Sequence, residues 1–407
     1  MTELVKEVIG RIWSSTTSLT PIITVLADDI GPRPSGSEAA RKTGAFIKNQ
    51  FEQHGLHTSK QHFEHQSWTC ESSELRIDGI EYPATALNFS GNGELTGSCY
   101  YMARPSKEGL KRAKFDGKIL LVESSHGHGM HRTDIVKAAV EGGAIAYVQV
   151  SSIPGGVVET GNIGMKGVVK IPALCISYEA GHFLLRNQKT GKGEVTLKIK
   201  GKESTAQGEN VIGDTNIDSE NNIICGAHYD TWELGPGAFD NGTGVATLLG
   251  LVKVLSEVKT KNTDPSLKFI AFGAEELGFK GAEAYCREQV DKKGSEVTMM
   301  VNFDSTAIPG GVRTVMVSND LKRYHQVSKL VNIYGFDASM SMRPPYGTDG
   351  FPFYLRKVPV INLQQMKESG PMYMHTAFDT PEKITEDCLK NSTAVASAIL
   401  ADLVNEC

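Results

Sequence analysis

Three observations predict an α/β fold with a sheet covered on both faces, interrupted by a smaller second domain. First, four strand candidates in the second half are unbroken apolar runs: Asn222 to Cys225, Leu267 to Phe272, Met299 to Phe303 and Val358 to Leu363. Continuous rather than alternating hydrophobicity is what a strand buried on both faces requires. Second, helix candidates lie between these runs. The clearest is Thr243 to Val258, where Val245, Leu248, Leu249, Val252, Leu255 and Val258 repeat at helical spacing. Third, the texture changes from about Glu71 to Gly191, where short β-like runs and many glycines replace the apolar runs, and it changes back after Val211.

The elements follow in order. A helix is expected from Val5 to Asp29, broken at Gly31-Pro32-Arg33-Pro34, because proline supplies no amide hydrogen and restricts the residue before it. A second helix runs from Glu38 to His54, with Phe46, Ile47 and Phe51 at helical spacing, and ends at Gly55. Lys60 to Trp68 alternates as a strand does. Inside the smaller domain a βαβ passage is expected: strand Lys118 to Val122, helix Thr133 to Glu141, strand Ala144 to Val150. Thr380-Pro381-Glu382 places a capping residue before a proline and starts a last helix running towards Val404. The boundaries that result are 1–70 with 205–407 for the larger domain and 71–204 for the insertion.

Composition excludes several classes. In 407 residues, 42 Lys and Arg face 47 Asp and Glu, a net charge of −5, and 40% of residues are hydrophobic. A disordered chain, an obligate nucleic-acid binder and an anionic-membrane binder are all disfavoured by that balance. The first ten residues include Glu3, Lys6 and Glu7 and lead into no continuous apolar core with a small-residue cleavage site, so no signal peptide is expected. No run approaches the roughly 18 apolar residues of a membrane span. Seven scattered cysteines without a CxxC pair are expected to be reduced thiols, which points to a cytoplasmic protein.

The chemistry lies where the apolar runs end. Asn222 to Ala227 leads into His228-Tyr229-Asp230, Lys268 to Ala274 into Glu275-Glu276, and Met299 to Phe303 into Asp304. If these strands are parallel neighbours, their ends share the edge of the sheet where ligands bind in open α/β folds. His375 follows the fourth run and can reach the same edge. Two imidazoles with three or four carboxylates suit a hard-to-borderline divalent cation, and the excess of acids suits two cations sharing a bridging carboxylate. Asp240, in the glycine-rich Gly237 to Gly242 loop, is the bridging candidate. Of the adjacent pair Glu275 and Glu276, one binds metal while the other takes a proton from water. Asp230 is placed to orient His228 rather than to bind metal.

The strings GAHYDTWELGPGAFDNGTG, FGAEELGFKGAEAY, VNFDST and MHTAFDT, in that order, resemble the motif set of the co-catalytic di-zinc aminopeptidase family. That family also includes glutamate carboxypeptidases and the transferrin receptor. GPRPSGSEAARKTGAFIKNQFEQHGL is similar to its N-terminal helix, and FDGKILLVE with KAAVEGGAIAYVQV resembles the protease-associated domain inserted in some members. The resemblance implies a three-layer α/β/α fold, zinc exopeptidase-like, with a mostly parallel mixed sheet and a β-rich insertion. It implies that His228, Asp304 and Asp240 hold one Zn2+ and His375, Glu276 and Asp240 the other, with Glu275 as general base. It also implies a cis peptide bond between Asp240 and Asn241, where the family carries an acidic pair. One departure is that relatives often have Tyr directly before the last histidine. Here that residue is Met374, so Tyr373 and Tyr346 are the candidate oxyanion donors.

The expected function is therefore removal of N-terminal residues from peptides, with a peptide as substrate and neither nucleic acid nor membrane as partner. One alternative is a carboxypeptidase or related amide hydrolase, which would aim Arg343 or Lys357 at a terminal carboxylate. The other is a non-catalytic binding protein, disfavoured by the complete ligand set. His126, His128 and His131 fall within six residues, but with glycines between them and no acid or thiol fixed nearby they read as a loop. Trp232 and Phe279 adjoin the metal motifs and serve either as pocket lining or as core. Ser35, Ser125 and Ser305 have no base at motif spacing, and the glycine-rich stretches lack the strand-loop-helix context of a phosphate cradle.

Overall fold

Neighbouring positions along the central strands feed two different cores. In the computed structural model, Ile223, Cys225 and Ala227 join one apolar cluster while Ile224 joins another. Phe269 and Ala271 face the first, Ile270 and Phe272 the second, and Met299 and Val301 oppose Met300 in the same way. This is the physical reason that these strands read as unbroken apolar runs. The structure describes all residues except 1–2, 15–16, 124–129, 165–166, 189–191, 259–264, 293–295, 369, 371 and 406–407. It divides into two units, Met1–His65 with Gln207–Gly370 and Phe378–Cys407, and Gln66–Ala206 with Pro371–Ala377.

In the first unit the strand order is Ser339–Ser341, Gly311–Ser318, Val360–Lys367, Glu296–Phe303, Asn221–His228, Ser266–Phe272, then the end of Val195–Asp214. The pairs among Val360–Lys367, Glu296–Phe303, Asn221–His228 and Ser266–Phe272 are all parallel. Gly311–Ser318 and Val211 to Asp214 run antiparallel to their inner neighbours, so the sheet is mixed. Helices Glu3–Trp13, Glu38–Gln53, Thr243–Glu257, Leu321–Tyr334 and Glu386–Asn405 cover one face, and Lys280–Tyr285 and Gly350–Leu355 cover the other. The unit is thus a three-layer α/β/α fold. Register puts His228 opposite Phe272 and Gly226 opposite Asn302, so the chain leaves three strands at one edge.

Three local expectations change. The helix expected from Val5 to Asp29 is two pieces: Glu3–Trp13, then Thr20–Thr24 continuing as a wider turn over Val25–Ile30. Pro21 cannot extend an upstream helix but suits a first turn, so the second piece starts there. Thr243–Glu257 is buried nearly all round rather than along one stripe. Its small residues let other helices approach, a Cβ on Gly250 meeting Leu19 and Thr393 at 3.0 Å. Pro381–Lys383 forms a separate 3-10 turn, because Ile384 is extended, and the last helix is Glu386–Asn405.

The second unit contains a five-stranded sheet in the order Ala84–Ala86, Ala173–Ile176, Ala146–Val150, Ile119–Glu123, Cys99–Met102. Ile119–Glu123, helix Arg132–Glu141 and Ala146–Val150 form the expected βαβ passage with parallel strands. Its core joins Leu120, Val122, Ile135, Val136, Ala139 and Tyr147. Within this unit the Thr160 amide donates to the His375 carbonyl at 3.0 Å. Among the described residues, no helix is long and apolar enough to cross a membrane.

The smaller core of the first unit has an aromatic centre, in which Phe353 lies 6.2 Å from Phe272 and 6.1 Å from Tyr285. Phe353→Ala is expected to destabilise the protein by about 3–5 kcal/mol in urea unfolding, the range for emptying a buried aromatic site. A loss below about 1 kcal/mol would show that this cluster refills.

Candidate metal centre

The parallel register delivers ligand-type side chains to one edge. His228 is the last residue of its strand, Asp304 follows Phe303 directly, and Glu275-Glu276 lie just beyond Phe272. His228 Nε2 is 3.4 Å from Asp240 Oδ1, 3.6 Å from Asp304 Oδ1 and 3.9 Å from Glu275 Oε2. Its Nδ1 is 3.1 Å from the Asp230 main-chain carbonyl. Donation from Nδ1 to that carbonyl leaves the Nε2 lone pair facing the carboxylates, the tautomer a metal ligand needs. The ligand atoms of His228, Glu275 and Asp304 lie within 4.8 Å of one another, as do those of Asp240 and Glu276.

The backbone here is bent into conformations that side chains disfavour. Ala274, Ser305 and His375 have φ of 58°, 51° and 61°, in the left-handed region that glycine prefers. Each such residue costs on the order of 1–3 kcal/mol, so the surrounding contacts must impose it. They turn the chain sharply just before Glu275 and just after Asp304. The Asp240-Asn241 peptide bond is cis, as the resemblance implies.

Buried side chains hold these turns through the main chain. The Asp230 carboxylate accepts from the Glu275 and Glu276 amides at 3.0 and 3.4 Å, its nearer oxygen standing 3.7 Å from His228 Nδ1. Its carboxylate therefore places the glutamate pair, and its carbonyl faces the imidazole. Asn241 donates to the Phe303 carbonyl and accepts from the Ser305 amide, at 2.9 and 3.0 Å, gripping the chain on both sides of Asp304. Arg33 is completely buried and donates to the carbonyls of Leu26, Gly31, Tyr229, Pro236 and Gly237. Burial lowers its pKa to about 10, with Asp379, Asp230 and Asp240 opposing that fall.

The electrostatics favour a cation. Burial raises the Glu275 pKa well above the usual carboxylate range; His228 opposes this and the charges of Glu276, Asp304 and Asp349 add to it. Burial raises Asp304 as well, against the pull of His228. Burial lowers the His228 pKa, but Glu275, Asp230, Asp240 and Asp304 together push it well above its ordinary value. Asp349 is the acid that sequence reasoning missed. It is fully buried, neither carboxylate oxygen has a hydrogen-bond partner, and burial with the nearby charges of Asp230, Asp304 and Glu276 raises its pKa well above normal. Acids without enough donors, beside an imidazole with its lone pair inward, form a donor set that fits divalent metal.

The remaining candidates are placed as follows. Tyr373 is half-buried, and its carbonyl accepts from Thr376 at 2.6 Å. Tyr346 is 70% exposed, with its ring 5.1 Å from Phe351. Arg343 is exposed, its Nε lying 3.1 Å from Met316 Sδ. Trp232 is buried, and Phe279 stacks edge-on to Phe351 at 6.3 Å. His131 caps its helix, accepting from the Thr133 amide at 3.3 Å, whereas His126 and His128 lie outside the described residues.

Residues 210–400 match Peptidase family M28 and residues 85–184 match the PA domain. Aminopeptidase YwaD of Bacillus subtilis is 26% identical over 411 residues, covering 94% of this chain and 84% of that protein. Leucine aminopeptidase 2 of Trichophyton rubrum is 27% identical over 285 residues; the match takes in 68% of this chain, which spans about half the length of that relative, 55%. The solved structure of BSAP, a zinc aminopeptidase from Bacillus subtilis, superposes with a TM-score of 0.75 at 25% identity, over 95% of this chain and 94% of that one. A Peptidase M28 precursor from Shewanella amazonensis shares the fold with a TM-score of 0.82 at 21% identity, over 99% and 96% of the two chains. Residues 210–400 are thus those of a peptidase family M28 domain, and residues 85–184 those of a PA domain.

Arg33→Met would remove a donor from five carbonyls, of which those of Leu26 and Gly237 keep the amides of Gly31 and Gly242 while those of Gly31, Tyr229 and Pro236 lose their guanidinium donor. A loss of stability on the order of 3 kcal/mol or more is expected in urea unfolding, since each unsatisfied buried group costs about 1–3 kcal/mol. A variant within about 1 kcal/mol of the parent would remove the guanidinium from this role.

Proposed function

We propose that the protein is a di-zinc aminopeptidase that removes N-terminal residues from peptides. The observation that carries this reading is the convergence of His228 Nε2 with Asp240, Asp304 and Glu275 at the ends of parallel strands. His228, Asp304 and Asp240 would hold one zinc ion, and His375, Glu276 and the shared Asp240 the other. Two bound zinc ions would supply Lewis acidity for the scissile carbonyl and lower the pKa of a water. Glu275 takes the proton of that water and returns it to the leaving amine. Asp230, bonded to the amides of Glu275 and Glu276, keeps the base and its neighbour in fixed relation. The acid-rich edge also suits a substrate's free ammonium group. The contact of Arg343 with Met316 gives no support to a carboxypeptidase.

Relatives named zinc aminopeptidase, leucine aminopeptidase and aminopeptidase support the same reading. We assign the peptidase chemistry to residues 1–70 and 205–407 and the inserted domain to 71–204, a division supported by the two family matches. The scattered cysteines support a cytoplasmic location.

Two measurements test the proposal. Purified protein should hold close to two equivalents of zinc and release aniline from aminoacyl anilides. Chelation should abolish this activity and zinc should restore it. Two metals with release only from acyl-dipeptides would make it a carboxypeptidase, and an absence of metal would leave a binding protein. Glu275→Gln is expected to lower turnover by about 10²–10⁴-fold with metal content unchanged. Loss of one zinc equivalent in that variant would instead make Glu275 a ligand.

A further inference from the structure

Asp379 lies just beyond the last histidine motif and has no assigned part in the chemistry above. It is buried, and its carboxylate is committed to the main chain. Oδ1 accepts from the Phe239 amide at 2.7 Å and Oδ2 from the Asp240 amide at 3.0 Å. Its own carbonyl accepts from the Ala238 amide at 3.1 Å. Three consecutive amides of the loop that presents Asp240 thus end on one residue. The preceding carbonyls, of Pro236 and Gly237, end on Arg33 at 2.6 and 3.1 Å. Asn241, the next residue, is fixed to Phe303 and Ser305.

The consequence is directional. Amide donors on one side and carbonyl acceptors on the other hold the loop that carries Asp240, whose Oδ1 lies 3.4 Å from His228 Nε2. With both oxygens engaged by amides, the Asp379 carboxylate is turned away from coordination. Resting on the di-zinc reading, we propose that Asp379 is the positioning residue that sets the bridging carboxylate of Asp240 between the two metal positions. Removing such an outer partner lowers metal affinity by about 10–100-fold. Because Asp240 is shared, both zinc ions are affected.

The test uses the full-length protein and zinc itself. Zinc affinity is measured by competition with a chromophoric chelator for the parent, Asp379→Asn and Asp379→Ser. The unfolding midpoint of each is measured in the metal-free state. Asparagine keeps the shape but turns an NH2 group towards an amide donor, and serine is small enough to be accommodated if asparagine is not. A fall of at least about tenfold in the affinity of both sites, in folded protein, is the expected result. Parent-like zinc affinity in a folded variant overturns the inference, even if its metal-free midpoint is lowered, since that pattern is purely structural. A parent that binds no zinc overturns the di-zinc reading as well. A parent with two zinc ions and variants of equal affinity overturns only the role of Asp379.

Discussion

Like-charge crowding is the constraint around which the first unit is organised. Asp230, Asp240, Glu275, Asp304 and Asp349 are all buried near one imidazole at the edge of the sheet. Carboxylates taken out of water and set against each other are unfavourable unless donors or a cation compensate. The donors come largely from the main chain: amides of Glu275 and Glu276 serve Asp230, and those of Phe239 and Asp240 serve Asp379. The buried guanidinium of Arg33 bonds carbonyls instead, shaping the loop without neutralising any ligand by direct contact. What is left unbalanced is the part of the cluster facing His228 Nε2, which is where positive charge is wanted.

Side chains and backbone exchange their ordinary roles here. The acids that face the cluster are aimed by the peptide groups around them, and those peptide groups are held by other polar side chains. Asn241 shows the economy of the arrangement, since one amide group secures the turn on both sides of Asp304 and also accepts from Gly244 at the start of the following helix. The left-handed residues Ala274 and Ser305 are tolerated because bonds on either side of them leave the chain no relaxed alternative.

Much of this was legible in the sequence, for reasons particular to each residue. His228 and Asp304 stand at the ends of unbroken apolar runs, so burial and strand direction place them before any coordinate is known. Asp240 sits in a glycine-rich loop that has to fold back. Arg33 carries no signal in the sequence beyond a helix break, because its acceptors lie far along the chain at Tyr229, Pro236 and Gly237. Asp349 follows Thr348 and precedes Gly350, a pattern indistinguishable from a solvated turn until the helix Gly350–Leu355 is seen packed against the sheet. The edge strand Ser339–Ser341 and its neighbour Gly311–Ser318 carry weaker patterns because their pairing, not their composition, defines them.

Parallel strand neighbours cannot be joined by a tight turn, so each passes through a long crossover before returning. His228, Asp240, Glu275 and Asp304 are therefore distant along the chain and near only in the finished sheet. A cation held among them acts as a cross-link closing several long loops at once, drawing its stabilisation from the entropy denied to the unfolded chain. No short segment carries the centre. Chemistry at this edge therefore depends on completion of the sheet.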